Sequence, residues 1–350
     1  MERGVFTANE IDSVLESMGI TDRTAITRYG SGHINDTFKV DTSSGKSFIL
    51  QRVNTAIFDP QAQELLKRVL LKVTSFLKSK GVKTLDFVAY EAPWRLYSYY
   101  GDCTVNEVVV SPLQAYDIGR AFAKFHNDLS DLPPPRLEEV LPKFHDTLER
   151  LKALDEALSN DVANRAALVA DELKFVEKRR AQAGRIVSLM ASGEIPERVI
   201  HNDSKINNLL FMRDGSAVII DLDTVMPGSV LSDFGDMVRT ATASAAEDEA
   251  DLSKVYSKKE YFEELSRGYI SGAAFLTQAE IDNLVFAGQL STFEVGVRFL
   301  TDYINGDTYF HTSYPEHNLV RARNQFKMVE SLEENAEEYE KIVKELFTKK

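Results

Sequence analysis

Val199-Ile200-His201-Asn202-Asp203-Ser204-Lys205-Ile206-Asn207-Asn208 is followed, across a short apolar hairpin, by Ile219-Ile220-Asp221-Leu222-Asp223. On either side the apolar residues recur with a helical period, and within this stretch the pattern becomes that of strands. Arg198–Ile200 reads as a short strand entering a polar loop. Leu209–Met212 and Ala217–Ile220 read as a hairpin around Asp214-Gly215, a dipeptide that favours tight turns. The loop places a carboxylate (Asp203), a cation (Lys205) and an amide (Asn208) close together, and a second carboxylate, Asp221, ends the following apolar strand. Phosphoryl transfer asks for such parts: a carboxylate to orient a hydroxyl, cations against phosphate charge, and oxygen ligands of the kind Mg²⁺ accepts. A lone H-x-D is common, but H-x-D-x-K-x-x-N followed by a strand-terminal Asp is not a chance feature of a surface hairpin.

A literal Asp233-Phe234-Gly235 lies further on, after the turn-like Pro227-Gly228 rather than at the end of an apolar strand. Its expected task is structural, with Asp233 as a helix N-cap or as a buried carboxylate bracing the loop backbone.

Before the loop, the chain divides into a strand-rich part and a helical part. Thr7 and Glu10 form a capping box ahead of the stripe Ile11, Val14, Leu15, Met18, and Gly19 stops that helix. Strand-like segments follow at Ala25–Val40 and Ser47–Val53. Asp59 and Pro60 then open a long helix that ends at Gly81, and two further strands are expected around Leu85–Tyr90 and Arg95–Tyr100. A hinge is expected near Gly101–Thr104. From Ser111-Pro112 onward the reading is helical, including one long helix from Asn164 to Ser192, a second capping box at Thr277 and Glu280, and a charged amphipathic helix over Glu330–Lys350. The expected class is α+β: a small β-rich lobe with one inserted helix over residues 1–103, and a larger helical lobe over 104–350.

Tyr29-Gly30-Ser31-Gly32-His33-Ile34-Asn35 falls between two strands. Gly30 and Gly32 would let backbone N–H groups approach phosphates, although Asn35 stands where a third glycine would complete G-x-G-x-x-G. His33 either points towards phosphate or acceptor, or is a polar surface histidine.

Composition excludes other classes. The net charge of −13 argues against nucleic acid as a partner. No apolar run reaches the roughly 18 residues of a membrane span. The N-terminal MERGVFTANEID lacks a signal-peptide pattern, and the single Cys103 forbids an internal disulfide, so a cytoplasmic enzyme with no membrane partner is expected.

The order H-x-D-x-K-x-x-N resembles the protein-kinase catalytic loop. His201-Asn202-Asp203 with Asn208 and Asp221 resembles the aminoglycoside phosphotransferase and choline kinase superfamily. Across essentially the whole chain, the sequence is similar to the bacterial N-acetylhexosamine 1-kinases. That similarity is carried by Gly32-His33-Ile34-Asn35, Asn54-Thr55-Ala56-Ile57-Phe58, HNDSKINN at 201–208, IIDLDTVMPGS at 219–229 and YPEHNLVRAR at 314–323. The resemblance implies a protein-kinase-like two-lobed fold, ATP and Mg²⁺ as cofactors, and a hexosamine 1-phosphate as product. It implies Asp203 as the base with Lys205 beside it, Asn208 and Asp221 as Mg²⁺ ligands, and Asp223 as a second carboxylate near metal and substrate. Acceptor contacts would come from His33, Asn35, Arg298 and Tyr309; a helical salt bridge accounts equally well for Arg298, and core packing for Tyr309. Nucleotide contacts would come from Gly30, Gly32 and the third strand. There the chain has Gln51-Arg52 where many relatives carry a lysine, and either residue is a candidate.

Two rival readings remain at this level. One is a sibling kinase acting on a cation such as choline or an aminoglycoside, for which Tyr97, Tyr99 and Tyr100 are a candidate aromatic box. The other is a non-catalytic pseudokinase, against which the joint retention of Asp203, Lys205, Asn208 and Asp221 argues.

Overall fold

The computed structural model describes residues 7–30, 35–106 and 108–348. In chain order the first elements are α1 (Ala8–Ser17), β1 (Arg23–Arg28), β2 (Asp36–Thr42), β3 (Ser47–Arg52), α2 (Pro60–Ser79), β4 (Phe87–Glu91), β5 (Trp94–Ser98) and β6 (Cys103–Val105). There follow α3 (Pro112–Leu129), α4 (Thr147–Asn160), α5 (Ala170–Arg179), α6 (Arg185–Ala191), β7 (Arg198–Ile200), β8 (Leu209–Met212), β9 (Ala217–Ile219) and β10 (Met226–Gly228). The chain ends with α7 (Val230–Ala241), α8 (Lys259–Gly272), α9 (Gln278–Ile281), α10 (Leu284–Ile304), α11 (His317–Glu334) and α12 (Ala336–Thr348). Two compact units result: Met1–Thr104 with Leu210–Asp223, and Val105–Leu209 with Thr224–Lys350.

In the first unit, α1 starts as its sequence signals, with both halves of the Thr7–Glu10 capping box formed. Its Ile11 and Leu15 pack with Phe38, Val40, Leu50, Trp94 and Leu96 on one face of an antiparallel sheet of order β1-β2-β3-β5-β4. Because side chains alternate along a strand, the other face of the same strands carries Thr37, Gln51 and Arg95, which lie opposite one another in register. This phase separates the two third-strand candidates: Gln51 shares a face with Arg95, whereas Arg52 sits on the α1 face in register with Trp94. A second sheet has the order β6-β8-β9.

The second unit is helical around an apolar cluster that includes Leu151, Leu154, Val176, Phe293, Val297, Leu300 and Phe326. Helices α3 and α8 lie unusually close: a Cβ on Gly119 would come within 2.2 Å of the Leu265 carbonyl, and one on Gly268 within 2.0 Å of the Tyr116 carbonyl. One expectation fails here. The stretch read as a single helix from Asn164 to Ser192 is broken into α5 and α6, with 3-10 turns at Ala166–Leu168 and Arg180–Gln182. The run is rich in good helix formers, but propensity is a weak prior, and a Cβ on Gly184 would come within 3.2 Å of the Leu148 side chain on the helix before the run. That helix, α4, escaped the sequence reading although Asp146 caps it by accepting from the backbone N–H groups of Leu148 and Glu149. Among the described residues, no helix is long and apolar enough to cross a membrane.

Candidate active site

The second unit holds the polar loop between β7 and β8. Asp203 has a side chain 26% exposed, so it is accessible, and its Oδ2 lies 2.8 Å from the Lys205 ammonium. The Asn208 amide nitrogen donates both to Asp203 Oδ2 at 2.9 Å and to the Asp203 carbonyl at 2.8 Å. That orientation turns the Asn208 amide oxygen away from Asp203. Burial pushes the Asp203 carboxyl up, but the Lys205 charge and hydrogen bond, the His201 charge and the Asn208 amide outweigh it, leaving the group below the usual carboxylate range.

The loop backbone is held by groups that never reach its open side. Asp233, fully buried, accepts from the His201 N–H at 2.7 Å and the Asn202 N–H at 2.6 Å, while its own carbonyl accepts from the Ser204 hydroxyl at 2.6 Å. His126 Nε2 lies 2.7 Å from Asp233 Oδ2, and its Nδ1 lies 2.9 Å from the Tyr269 hydroxyl. Of the two structural tasks expected for Asp233, the structure has the bracing one; the N-cap of α7 is Ser229, which accepts from the Leu231 N–H. Asn202 has φ +65°, in the left-handed region that asparagine tolerates better than most residues. Its side chain donates to the Thr224 carbonyl at 2.8 Å.

Arg298 and Tyr309, predicted as acceptor contacts, also lie together in this unit. The Arg298 guanidinium stands 5.6 Å from the Phe144 ring, 6.0 Å from Tyr309 and 5.5 Å from Phe310. The helical salt bridge considered for it is not formed with any described residue. Arg150 is a second guanidinium in the cluster: it donates to the Phe144 carbonyl, its Nε is buried without a hydrogen-bond partner among the described residues, and burial together with the Arg298 charge lowers its pKa. Tyr309 is 45% exposed, so it is not core packing. Its loop is fixed from beneath by the Asp302 carboxylate, which accepts from the backbone N–H groups of Thr308 (3.0 Å), Tyr309 (2.8 Å) and Phe310 (2.9 Å).

The first unit holds a different cluster. Arg95, only 1% exposed, donates to both oxygens of Asp223, Nη1 to Oδ1 at 2.6 Å and Nη2 to Oδ2 at 2.7 Å. Its Nε and Nη2 also reach Gln51 Oε1, at 2.9 and 2.5 Å. Gln51 in turn donates to the Thr37 hydroxyl at 3.0 Å, and Asn35 donates to Asp223 Oδ2 at 2.9 Å. Burial works against the Arg95 charge, but the Asp223 carboxylate more than offsets it and raises the guanidinium further. Asp221 follows β9 as an exposed residue at φ +57°, in the left-handed region that aspartate and asparagine enter more readily than most residues. Gly30 sits at φ +78°, a conformation glycine adopts without strain.

The predicted residues thus gather in separate groups: Asp203, Lys205 and Asn208 in one, Arg298 and Tyr309 in another, Gln51, Asn35 and Asp223 in a third. Gly32 and His33 lie outside the described residues. Sequence reasoning missed Arg95, His126, His145, Arg150 and Glu294. Of these, only Arg95 carried a local signal, a charge inside the otherwise apolar strand Trp94-Arg95-Leu96-Tyr97.

A family model described as phosphotransferase enzyme family matches residues 25–265. Among solved structures, an ADP-bound aminoglycoside phosphotransferase is similar at 14% identity, covering 93% of this chain and 99% of that one with a TM-score of 0.57. A choline kinase from Cryptosporidium parvum is similar at 15% identity, covering 97% and 100% with a TM-score of 0.60. A microcompartment-associated aminopropanol kinase, also at 15% identity, covers 94% and 98% with a TM-score of 0.61. At these identities the likeness establishes the fold: α+β and protein-kinase-like, with an antiparallel sheet in one unit and helices in the other.

Proposed function

This chain belongs to the phosphotransferase enzyme family, and from that premise we propose that it phosphorylates the anomeric hydroxyl of N-acetylhexosamines, N-acetylglucosamine or N-acetylgalactosamine, with Mg·ATP as donor. The kinase part is supported by the Asp203 cluster. An ionised Asp203 would accept the hydrogen bond of the acceptor hydroxyl and orient it, with Lys205 keeping the carboxylate charged. Asn208 and Asp221 are proposed as Mg²⁺ ligands on the sequence resemblance; both offer oxygen, the atom type Mg²⁺ takes. When bound, the ion would neutralise charge on the transferred phosphate. A similar structure holds ADP and another ATP, which supports a nucleotide donor. On this chain Gly30 and the Gln51 face of the sheet are the proposed nucleotide contacts; Arg52, on the opposite face, is not.

The observation that carries the neutral sugar over a cationic acceptor is the guanidinium pair beside Tyr309. Arg150 and Arg298 lack a carboxylate partner among the described residues, and the Arg298 charge adds to burial in lowering the Arg150 pKa. Choline or an aminoglycoside would add like charge to that cluster, whereas sugar hydroxyls would supply the acceptors it wants. The choice of C1 and of the acetamido group rests on the sequence resemblance. The test is kcat/KM for N-acetylglucosamine and N-acetylgalactosamine against glucose, galactose, choline and kanamycin. A site that hydrogen-bonds the acetamido group should favour the N-acetyl sugars by about 1–3 kcal/mol, roughly 5- to 150-fold. Choline or kanamycin outrunning both would overturn the sugar assignment.

A further inference from the structure

We infer that His145 is a positioning residue of the catalytic loop, an imidazolium that grips the Asn202 carbonyl and so fixes the peptide leading into Asp203. The inference rests on reading Asp203 as the carboxylate that orients the acceptor. His145 Nε2 lies 3.0 Å from the Asn202 carbonyl oxygen, and Nδ1 lies 2.9 Å from Glu294 Oε1. A carbonyl oxygen only accepts. Glu294 is 2% exposed, and its second oxygen already accepts from the Thr147 hydroxyl at 2.7 Å. Both ring nitrogens therefore face acceptors, and the arrangement is satisfied only if the His145–Glu294 pair holds one more proton than a neutral histidine beside an ionised glutamate. With His145 in place, Asn202 is held at three points: its N–H by Asp233, its side-chain amide N–H by the Thr224 carbonyl and its carbonyl by His145.

Two carboxylates favour a charged ring, Glu294 from α10 and Asp236 from α7; the cations Arg298 of α10 and Arg150 of α4, which act on Glu294, oppose it. Burial works against the charged ring, but the Glu294 charge and hydrogen bond, the Asn202 carbonyl and the Asp236 charge outweigh it and raise His145 above its ordinary value. The sign follows: the grip is complete below about pH 6.5 and is lost as pH rises through the folded value.

Two measurements on the 350-residue chain test this. The first is a ¹⁵N imidazole titration of the wild type, with His145 identified by the peak missing in His145→Gln. The expected result is a ring protonated on both nitrogens at neutral pH that titrates above the ordinary histidine value. The second is the kcat pH profile. His145→Gln keeps an N–H for the Asn202 carbonyl but cannot titrate, so its profile should lose the wild-type alkaline limb while KM for ATP stays near wild type. His145→Ala removes the grip and should lower kcat by roughly 10- to 100-fold, the cost of a small misplacement of a reacting group. A His145 ring singly protonated at neutral pH, or an alkaline limb unmoved in His145→Gln, would overturn the inference. The titration needs no acceptor, so failure of the sugar assignment leaves it decisive, and it stands even where His145→Ala does not fold.

Discussion

In the first unit a buried carboxylate, Asp223, is held by a guanidinium; in the second, Asp233 and Glu294 are each held by an imidazole. The partners are chemically unequal. A guanidinium is charged at every pH a protein meets, and its planar fork bonds both carboxylate oxygens at once. Arg95 uses that fork fully, adding Gln51 to its partners, so the first-unit cluster is a fixed device. An imidazole is charged only part of the time, and what it does depends on its second partner. For His126 that partner is the Tyr269 hydroxyl, which can donate as well as accept, so a singly protonated ring satisfies both contacts. For His145 it is a carbonyl, which cannot. Two histidines supporting one loop therefore differ in the number of ring protons their partners ask for.

The largest effect expected is on the residue these braces serve. Asp203→Asn should cut kcat by roughly 10²- to 10⁴-fold, the usual worth of a positioned general base, with ATP binding and melting temperature near wild type. Near-wild-type turnover would remove Asp203 from the chemistry and leave both braces without a purpose.

Breaking the fixed device should be almost as costly, but in stability. Arg95→Met strands the Asp223 carboxylate in a buried site, at an expected cost of about 3–5 kcal/mol in urea unfolding. Pairing it with Asp223→Leu should recover much of that loss, because an apolar pair of similar volume carries no charge to desolvate. Asp233→Ala orphans the buried N–H groups of His201 and Asn202 and should cost at least about 2 kcal/mol, more than a lost helix cap.

The pH dependence sharpens the contrast. Asp203, Asp233 and Glu294 sit below their ordinary values, in each case because nearby hydrogen bonds and positive charge outweigh the burial that pushes them up. Their stabilisation is present above about pH 4 and is lost as pH falls through the lowered values. His145 has the opposite sign and loses its contribution on the alkaline side. Unfolding free energies at intervals from pH 3 to 10 should thus form a dome; His145→Gln should flatten its alkaline flank and, because the His145 charge and hydrogen bond hold Glu294 low, should also lessen the Glu294 contribution on the acid flank. The smallest stability effect should come from exposed Asp221: Asp221→Asn, which keeps a residue that tolerates the left-handed backbone, should move stability by less than about 0.5 kcal/mol while raising the Mg²⁺ concentration needed for half-maximal activity.

The parts written contiguously were legible in the sequence. The capping box at Thr7, the Asp59-Pro60 helix start and the hairpin at Asp214-Gly215 depend on neighbours a few residues apart, and all three formed as read. The grouping of Asp203, Lys205 and Asn208 is likewise set by local spacing. The support beneath them was not legible. His145 meets a glutamate 149 residues away, and Arg95 a carboxylate 128 residues away, separations that no periodicity records. The phase of Gln51 and Arg52 needed the register of β3 against β5, which the strand's own residues do not determine.

The proposed reaction is tested most directly by the product. Incubation with Mg·ATP and N-acetylglucosamine, followed by ¹H–³¹P correlation NMR, should show a new phosphate ester whose phosphorus couples to the single anomeric proton. Coupling to the two protons at C6, or ATP consumed with no phosphorylated sugar formed, would contradict the assignment.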